Sequence, residues 1–333
     1  MLSLRTPLKA EDIYKVSELA PGHPVFQLDG WGDGSNKIDS IVLKVESGNA
    51  RDVQYATLMM NLVDKNSAQV VLTPQELQEL RTWARSSDVP DVETFRVAQK
   101  ITQTLGQPGT WLKMGLKQLK TLDDAVGKRL DPNNPDKADV RVIAKALKNH
   151  GGLEKLGEII AADLFNGSND RFAYPALQGA GQAGKYPGIL LRTIQNVGNV
   201  FVACDGNGSG KPVGLDNFDP FSQSRYIEGA QAQQMDLSDQ TWGGHLFLKR
   251  NAASREDFAG AVVSDMEALL GPRNRKSQFL SQNRLGTARK KRILAGIDSG
   301  AKKIHDKFQA LRRTANGRQF PEGIARKLTA LGW

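Results

Sequence analysis

Apolar residues between positions 24 and 46 come in short runs. Val25-Phe26-Gln27-Leu28 predicts one strand, and Asp39-Ser40-Ile41-Val42-Leu43-Lys44-Val45-Glu46, rich in β-branched residues, predicts a second. The stretch between them, Gly30-Trp31-Gly32-Asp33-Gly34-Ser35-Asn36, is turn-forming. Before these strands, Lys9 to Leu19 predicts a short helix ended by Pro21-Gly22. After them, residues 49–63 place Val53, Ala56, Met59, Met60 and Val63 on one helical side. Ala68 to Leu72 predicts a short strand. Thr73-Pro74-Gln75-Glu76 is a strong helix start, with threonine at the cap, proline in the first turn and glutamate three residues on. That helix is expected to reach about Arg85, a second to span Val92 to Leu105, and a strand to run from Thr110 to Leu116.

From there the pattern turns helical. Leu119 to Leu130, Lys137 to Asn149 and Leu153 to Leu164 predict helices, the last strongly apolar at Leu156, Ile159, Ile160 and Leu164. Phe165 to Phe172 reads as a polar loop. Gly188 to Gln195, Val200 to Cys204 and Pro212 to Leu215 read as short strands, and the chain from Ser222 onward is mostly helical. This order predicts an α+β protein: an N-terminal helical extension (1–22), a small β-rich lobe (23–116) and a larger helical lobe (117–333).

Composition narrows the class. The 333 residues carry 45 Lys plus Arg against 36 Asp plus Glu, a net charge of +9. The single cysteine, Cys204, excludes an internal disulfide and a Cys-rich zinc site, and it reads as a buried structural thiol. The four histidines are dispersed without metal-ligand spacing. A reducing, cytoplasmic compartment is expected. No run approaches a transmembrane span, and the N-terminus has no Sec-type apolar core. Basic residues concentrate in 284–318, opposed there only by Asp298 and Asp306. That stretch reads either as a solvated helix face or as a docking surface for an acidic protein or anionic lipid surface. Without interleaved aromatics or a zinc-finger or RNP signature, nucleic acid is not the expected partner.

Three polar clusters carry chemistry. Lys44 follows a glycine-rich turn and three apolar residues, a place from which a point charge meets phosphate oxygens, with Gly32, Gly34 and Ser35 offering backbone N–H groups to the same phosphates. The bland alternative is a hairpin turn and a surface lysine. The Asx-rich loop Asn166-Gly167-Ser168-Asn169-Asp170-Arg171 makes Asp170 a candidate general base held by Asn169 and Arg171, or a helix cap with turns. Asn199 and Asp216 each put an oxygen ligand beside a short strand, which suits Mg²⁺. Phosphoryl transfer needs this combination: a phosphate lysine, a base for the acceptor, and an Asn and an Asp on magnesium.

The runs Asn169-Asp170-Arg171-Phe172, Val197-Gly198-Asn199-Val200 and Leu215-Asp216-Asn217 resemble the actin-fragmin kinase branch of the atypical protein kinases, itself similar to the phosphoinositide-kinase-like core. The resemblance spans roughly Val25 to Pro220. It implies a bilobal kinase-like fold and transfer of phosphate from Mg-ATP to a Ser or Thr hydroxyl of a protein substrate. Carried over by residue, Asp170, Arg171 and Lys44 form the catalytic set, and Asn199 and Asp216 hold the metal. Met114 or Leu116, in the hinge strand, lines the adenine pocket. Ordinary kinases leave about four residues between base and asparagine; here Ala173 to Tyr186 intervenes, expected as a surface excursion. The chain departs from the pattern in having no glutamate in 48–63 to aim Lys44. Asp52 and Gln54 are the candidates there, Glu46 lying too close along the strand unless the chain turns sharply. The alternatives are a pseudokinase or basic scaffold, or a kinase-fold enzyme that transfers AMP or phosphorylates a lipid. For a pathogen source, the lack of a Sec signal is compatible with specialised delivery into a host cell.

Overall fold

A computed structural model describes residues 2, 4–20, 22–31, 40–46, 50–65, 68–86, 90–115, 119–130, 133, 138–168, 170–173, 186, 189–204, 209–215, 244–247, 252–271, 284–314 and 320–333. The chain is mixed α+β and divides into two compact units: Met1–Leu58 with Ala68–Lys117, and Met59–Ser67 with Gln118–Trp333.

The first unit is built on an antiparallel sheet of β1 (Ile13–Glu18), β2 (Val25–Gly30), β3 (Ser40–Glu46), β4 (Gln69–Val71) and β5 (Thr110–Gly115), in the order β1-β2-β3-β5-β4. Helix α1 (Ala50–Val63) follows β3, and α2 (Pro74–Ala84) and α3 (Val92–Leu105) lie between β4 and β5. Alternation along β2 and β3 sends Phe26, Leu28, Ile41 and Leu43 to one face. There they form a core with Trp111, Leu80 and Trp83 of α2 and Val97, Ala98 and Ile101 of α3. Phe26 and Trp111 stack with ring centroids 6.1 Å apart.

The capping box at Thr73 forms as expected: the Glu76 N–H donates to Thr73 Oγ1 (3.2 Å) and the Thr73 N–H to Glu76 Oε2 (2.9 Å). Glu76 does more than cap. It is buried and accepts from Lys113 Nζ of β5 (2.6 Å) and from the Leu8 N–H (3.0 Å), and Lys113 also donates to the Thr6 carbonyl (2.8 Å). Burial works to raise the Glu76 pKa, but the Lys113 ammonium and the Thr73 and Leu8 N–H groups outweigh it and hold the carboxyl below its ordinary value.

The second unit carries a smaller antiparallel sheet, β6 (Leu119–Thr121), β7 (Phe201–Cys204) and β8 (Gly210–Val213), in sequence order. Its helices are α4 (Leu122–Leu130), α5 (Ala138–Lys148), α6 (His150–Asn166), α7 (Ala252–Leu270), α8 (Arg284–Thr314) and α9 (Glu322–Ala330). Helix α6 is the spine. Leu153, Leu156, Ile159, Ile160, Leu164 and Phe165 are all buried. It packs on α8 through small residues: a Cβ on Gly157 would sit 2.3 Å from the Ile293 carbonyl oxygen, and one on Gly296 2.1 Å from that of Glu154. Neither helix tolerates a side chain there. Phe165 closes the lower end against Phe308 of α8 (5.2 Å) and Trp333 (6.3 Å).

Three elements differ from expectation. The expected helix over 9–19, assigned to an extension, is instead the edge strand β1 of the five-stranded sheet. Ile13 and Val16 are three apart and both buried, which mimics a helix; a bulge between Ile13 and Lys15 breaks the strand alternation and produces that spacing. The helix expected from Leu119 starts at Leu122. Thr121 caps it, accepting from the Asp124 N–H (3.1 Å), while 119–121 pair with β7. Of the strand expected at 188–195, the described residues 189–195 are irregular, with one isolated bridge between Phe172 and Ile194, because a side chain takes N–H groups there. Cys204, expected buried, is only partly so.

Candidate active site

The site in the second unit begins where α6 stops. Gly167 adopts a left-handed φ of 74°, its N–H reaching the Leu164 carbonyl (3.2 Å) while the Ser168 N–H reaches that of Asp163 (2.9 Å). This double bond is the usual glycine-terminated helix end. It turns the chain off the spine so that Asp170, Arg171 and Phe172 follow within one short loop. Asp163, on the last turn of α6, is fully buried and faces Arg171, itself 2% exposed.

Arg171 is the node of the site. Its Nη1 pairs with Asp163 Oδ2, its Nε donates to the Asn199 carbonyl (2.7 Å), and its Nη2 donates to the Leu215 carbonyl. A buried guanidinium is costly unless ion-paired and hydrogen-bonded, and these three acceptors meet that need. One side chain thereby ties together the loop carrying Asp170, the turn carrying Asn199 and the strand end preceding residue 216. The sequence reading gave Arg171 the role of holding the Asp170 side chain as part of the catalytic set. The structure instead buries its guanidinium on Asp163 and two main-chain carbonyls.

The Asp170 carboxylate meets two amides. Asn199 Nδ2 donates to Oδ2, and Asn196 Nδ2 donates to Oδ1 at 3.4 Å. Asn199 ends a 3-10 turn, Val197–Asn199, which Asn196 caps by accepting the Gly198 N–H (3.0 Å). With Nδ2 of Asn199 committed to Asp170, its Oδ1 is the atom left for a cation, an orientation set by the hydrogen-bond network. An amide oxygen suits a hard cation that keeps waters. After the turn, β7 and β8 return the chain to Gly214, whose N–H donates to the fully buried Asp64 (3.0 Å), itself 3.3 Å from Lys155.

A second clamp was invisible in sequence. Asp265 of α7, 1% exposed, accepts the backbone N–H groups of Arg192 (3.0 Å), Thr193 (2.8 Å) and Ile194 (2.9 Å). Burial pushes its carboxyl above the ordinary value despite those three donors. The clamped segment lies against the loop through the Ala173 N–H to Thr193 carbonyl bond (2.6 Å) and the Gln195 N–H to Arg171 carbonyl bond (3.1 Å). The only signal in sequence is a lone aspartate inside the apolar stretch Ala261-Val262-Val263-Ser264-Asp265-Met266. Tyr186, at the end of the insertion expected as a surface excursion, is buried and donates to Asp123 of α4. Burial and then that carboxylate push its phenol well up. Residues 174–185 of the insertion lie outside the described residues.

The first unit holds Lys44 and Met114 on one sheet face, opposite the core. Val42 pairs with Met114 and Lys44 with Leu112, so Lys44 and Met114 are diagonal neighbours on adjacent strands. Lys44 is paired with Glu46 (2.8 Å), both side chains largely buried. The expectation that Glu46 lies too close is corrected: residues two apart on a strand share a face, and long side chains meet there without any turn. On the same face Asp29 accepts from Ser40 Oγ (2.5 Å) and Gln27 Nε2 (2.8 Å). Gly32, Gly34, Ser35, Leu116, Asn169 and Asp216 lie outside the described residues.

Part of the basic stretch is matched by acids elsewhere in the second unit. Arg289 pairs with Glu267, Lys290 with Glu256 (3.1 Å), Arg292 with Glu154 (2.6 Å) and Lys303 with Glu158 (2.5 Å). The acids come from α6 and α7, so a window over 284–318 counts the cations and misses their partners. Among the described residues no helix is long and apolar enough to cross a membrane. No family model matches the chain, and no curated protein matches it.

Proposed function

We propose that the chain is a Mg²⁺- and ATP-dependent phosphotransferase of the atypical protein-kinase kind, with a kinase-like fold, acting on Ser or Thr hydroxyls of a protein. In this reading Asp170 orients the acceptor hydroxyl and accepts its proton. Lys44, aimed by Glu46, binds ATP phosphates, and Met114 or Leu116 lines the adenine pocket. Asn199 and Asp216 hold magnesium, which when bound offsets negative charge on the phosphate oxygens. Arg171 has a positioning role.

The observation that supports the reading most is the Arg171 node. Three segments distant along the chain each carry one residue that phosphoryl transfer requires, and one buried guanidinium bonds to the backbone of two of them and belongs to the third. Asp216 follows Leu215 directly in the chain. A pseudokinase or basic scaffold using residues 284–318 would be favoured by a Lys44 without an acidic partner, and Glu46 supplies one.

Calorimetric titration with ATP, with and without Mg²⁺, tests the nucleotide and metal roles. The wild type is expected to bind ATP tightly only with Mg²⁺, and Asp216→Ala to lose that dependence while Lys44→Met weakens binding in both conditions. Equal Mg²⁺ dependence in wild type and Asp216→Ala rejects the metal assignment. Mass analysis of a modified acceptor separates phosphate from AMP, and protein from lipid.

A further inference from the structure

We infer that Asn196 is a positioning residue for Asp170, its amide forming with that of Asn199 a two-sided clamp on the carboxylate. The catalytic consequence rests on the phosphotransferase reading; the clamp itself rests on geometry. Each Asp170 oxygen accepts from a different amide, Oδ1 from Asn196 at 3.4 Å and Oδ2 from Asn199. A carboxylate held at one oxygen still turns about its last bond, whereas one held at both does not. The clamp is preset, because Asn196 Oδ1 accepts the Gly198 N–H (3.0 Å), which fixes its amide plane and directs Nδ2 toward Asp170. The 3-10 turn that closes on Asn199 and its Asn196 cap thus present both donors to one group. The backbone beneath is fixed independently, by Arg171 on the Asn199 carbonyl and by Asp265 on residues 192–194.

Asn196 has two jobs, and one substitution separates them. Asn196→Ser keeps a neutral oxygen for the Gly198 N–H, so the turn cap survives, but its short side chain takes away the amide donor to Asp170 and adds no charge. Asn196→Ala removes both. If Asn196 only capped the turn, the serine would be harmless and the alanine would lower stability. The clamp predicts that Asn196→Ser lowers kcat for phosphate transfer roughly 10–100-fold, the scale of a misaligned general base, with KM for ATP and the melting temperature near wild type. Transfer by Asn196→Ser at the wild-type rate overturns the proposal.

Side-chain amide NMR tests the contact without activity. The Asn196 Nδ2 resonance is expected to shift and its protons to exchange faster in Asp170→Ala than in wild type; an unchanged resonance overturns the clamp. If the wild type shows no transfer but the resonance moves, the phosphotransferase reading fails and the clamp stands.

Discussion

Arg171 is the residue on which the geometry of the site depends most. Replacing it with Met leaves the buried Asp163 carboxylate without its cation and two main-chain carbonyls without their donor. Removing one partner of a buried pair costs about 3–5 kcal/mol. Denaturant unfolding of Arg171→Met is expected to read a loss of that size, with Asp163→Leu similar alone and the double variant less than additive. Glu76 makes a different prediction. Its carboxyl is held low in the folded protein, so the stability it contributes is present above the unfolded value near 4.5 and is lost as pH falls through the lower folded value. Glu76→Gln is therefore expected to be markedly less stable than wild type at neutral pH, with the gap narrowing under acid unfolding below about pH 4. Asp170, Asn199 and Lys44 were singled out in the sequence because their residue types and order match the proposed chemistry; the structure brings the Asp170 and Asn199 side chains into contact. Glu46 and Asn196 were on the page, but their roles depend on which face or turn presents them. Asp163 and Asp265 were not legible, since nothing in a linear chain says which aspartate points into a core.

At the scale of elements, the spine and the clamped loop carry the site. Gly296→Val forces α6 and α8 apart where a Cβ already has no room, and a loss of about 3 kcal/mol is expected, read by thermal or denaturant melts. Asp265→Ala frees three N–H groups of 192–194 and is expected to raise amide hydrogen exchange there and in 171–173, which bond to that segment, while α2 and α3 keep wild-type protection. Uniform loss of protection across the protein would contradict a local clamp. The strands β2, β3, β5 and β7 were legible as short apolar and β-branched runs, and α2 from the cap at Thr73. The misread elements share a cause: the bulged pairing of β1 with β2, the pairing of 119–121 with β7 and a side-chain acceptor at 192–194 each override the local pattern by a contact distant in sequence.

For the molecule as a whole, the net charge of +9 gives a poor guide to where cations are free. Arg292 and Glu154 are both exposed across the α6–α8 pair, so a double-mutant cycle on them is expected to read below about 1 kcal/mol and to shrink with added salt. The chain divides into two units near residue 117, where the sequence also shifts from strands to helices, and residues 59–67 belong to the second unit. The central claim, that this α+β chain moves phosphate from ATP with Asp170 as base, is tested most directly by transfer of label from the γ-phosphate of ATP, with Mg²⁺, to protein in a cell lysate. Wild type and Asp170→Ala are compared after their melting temperatures are shown to match. The account predicts labelled protein with the wild type and a loss of at least about 100-fold with Asp170→Ala. Equal labelling by the two proteins, or none by the wild type, would contradict it.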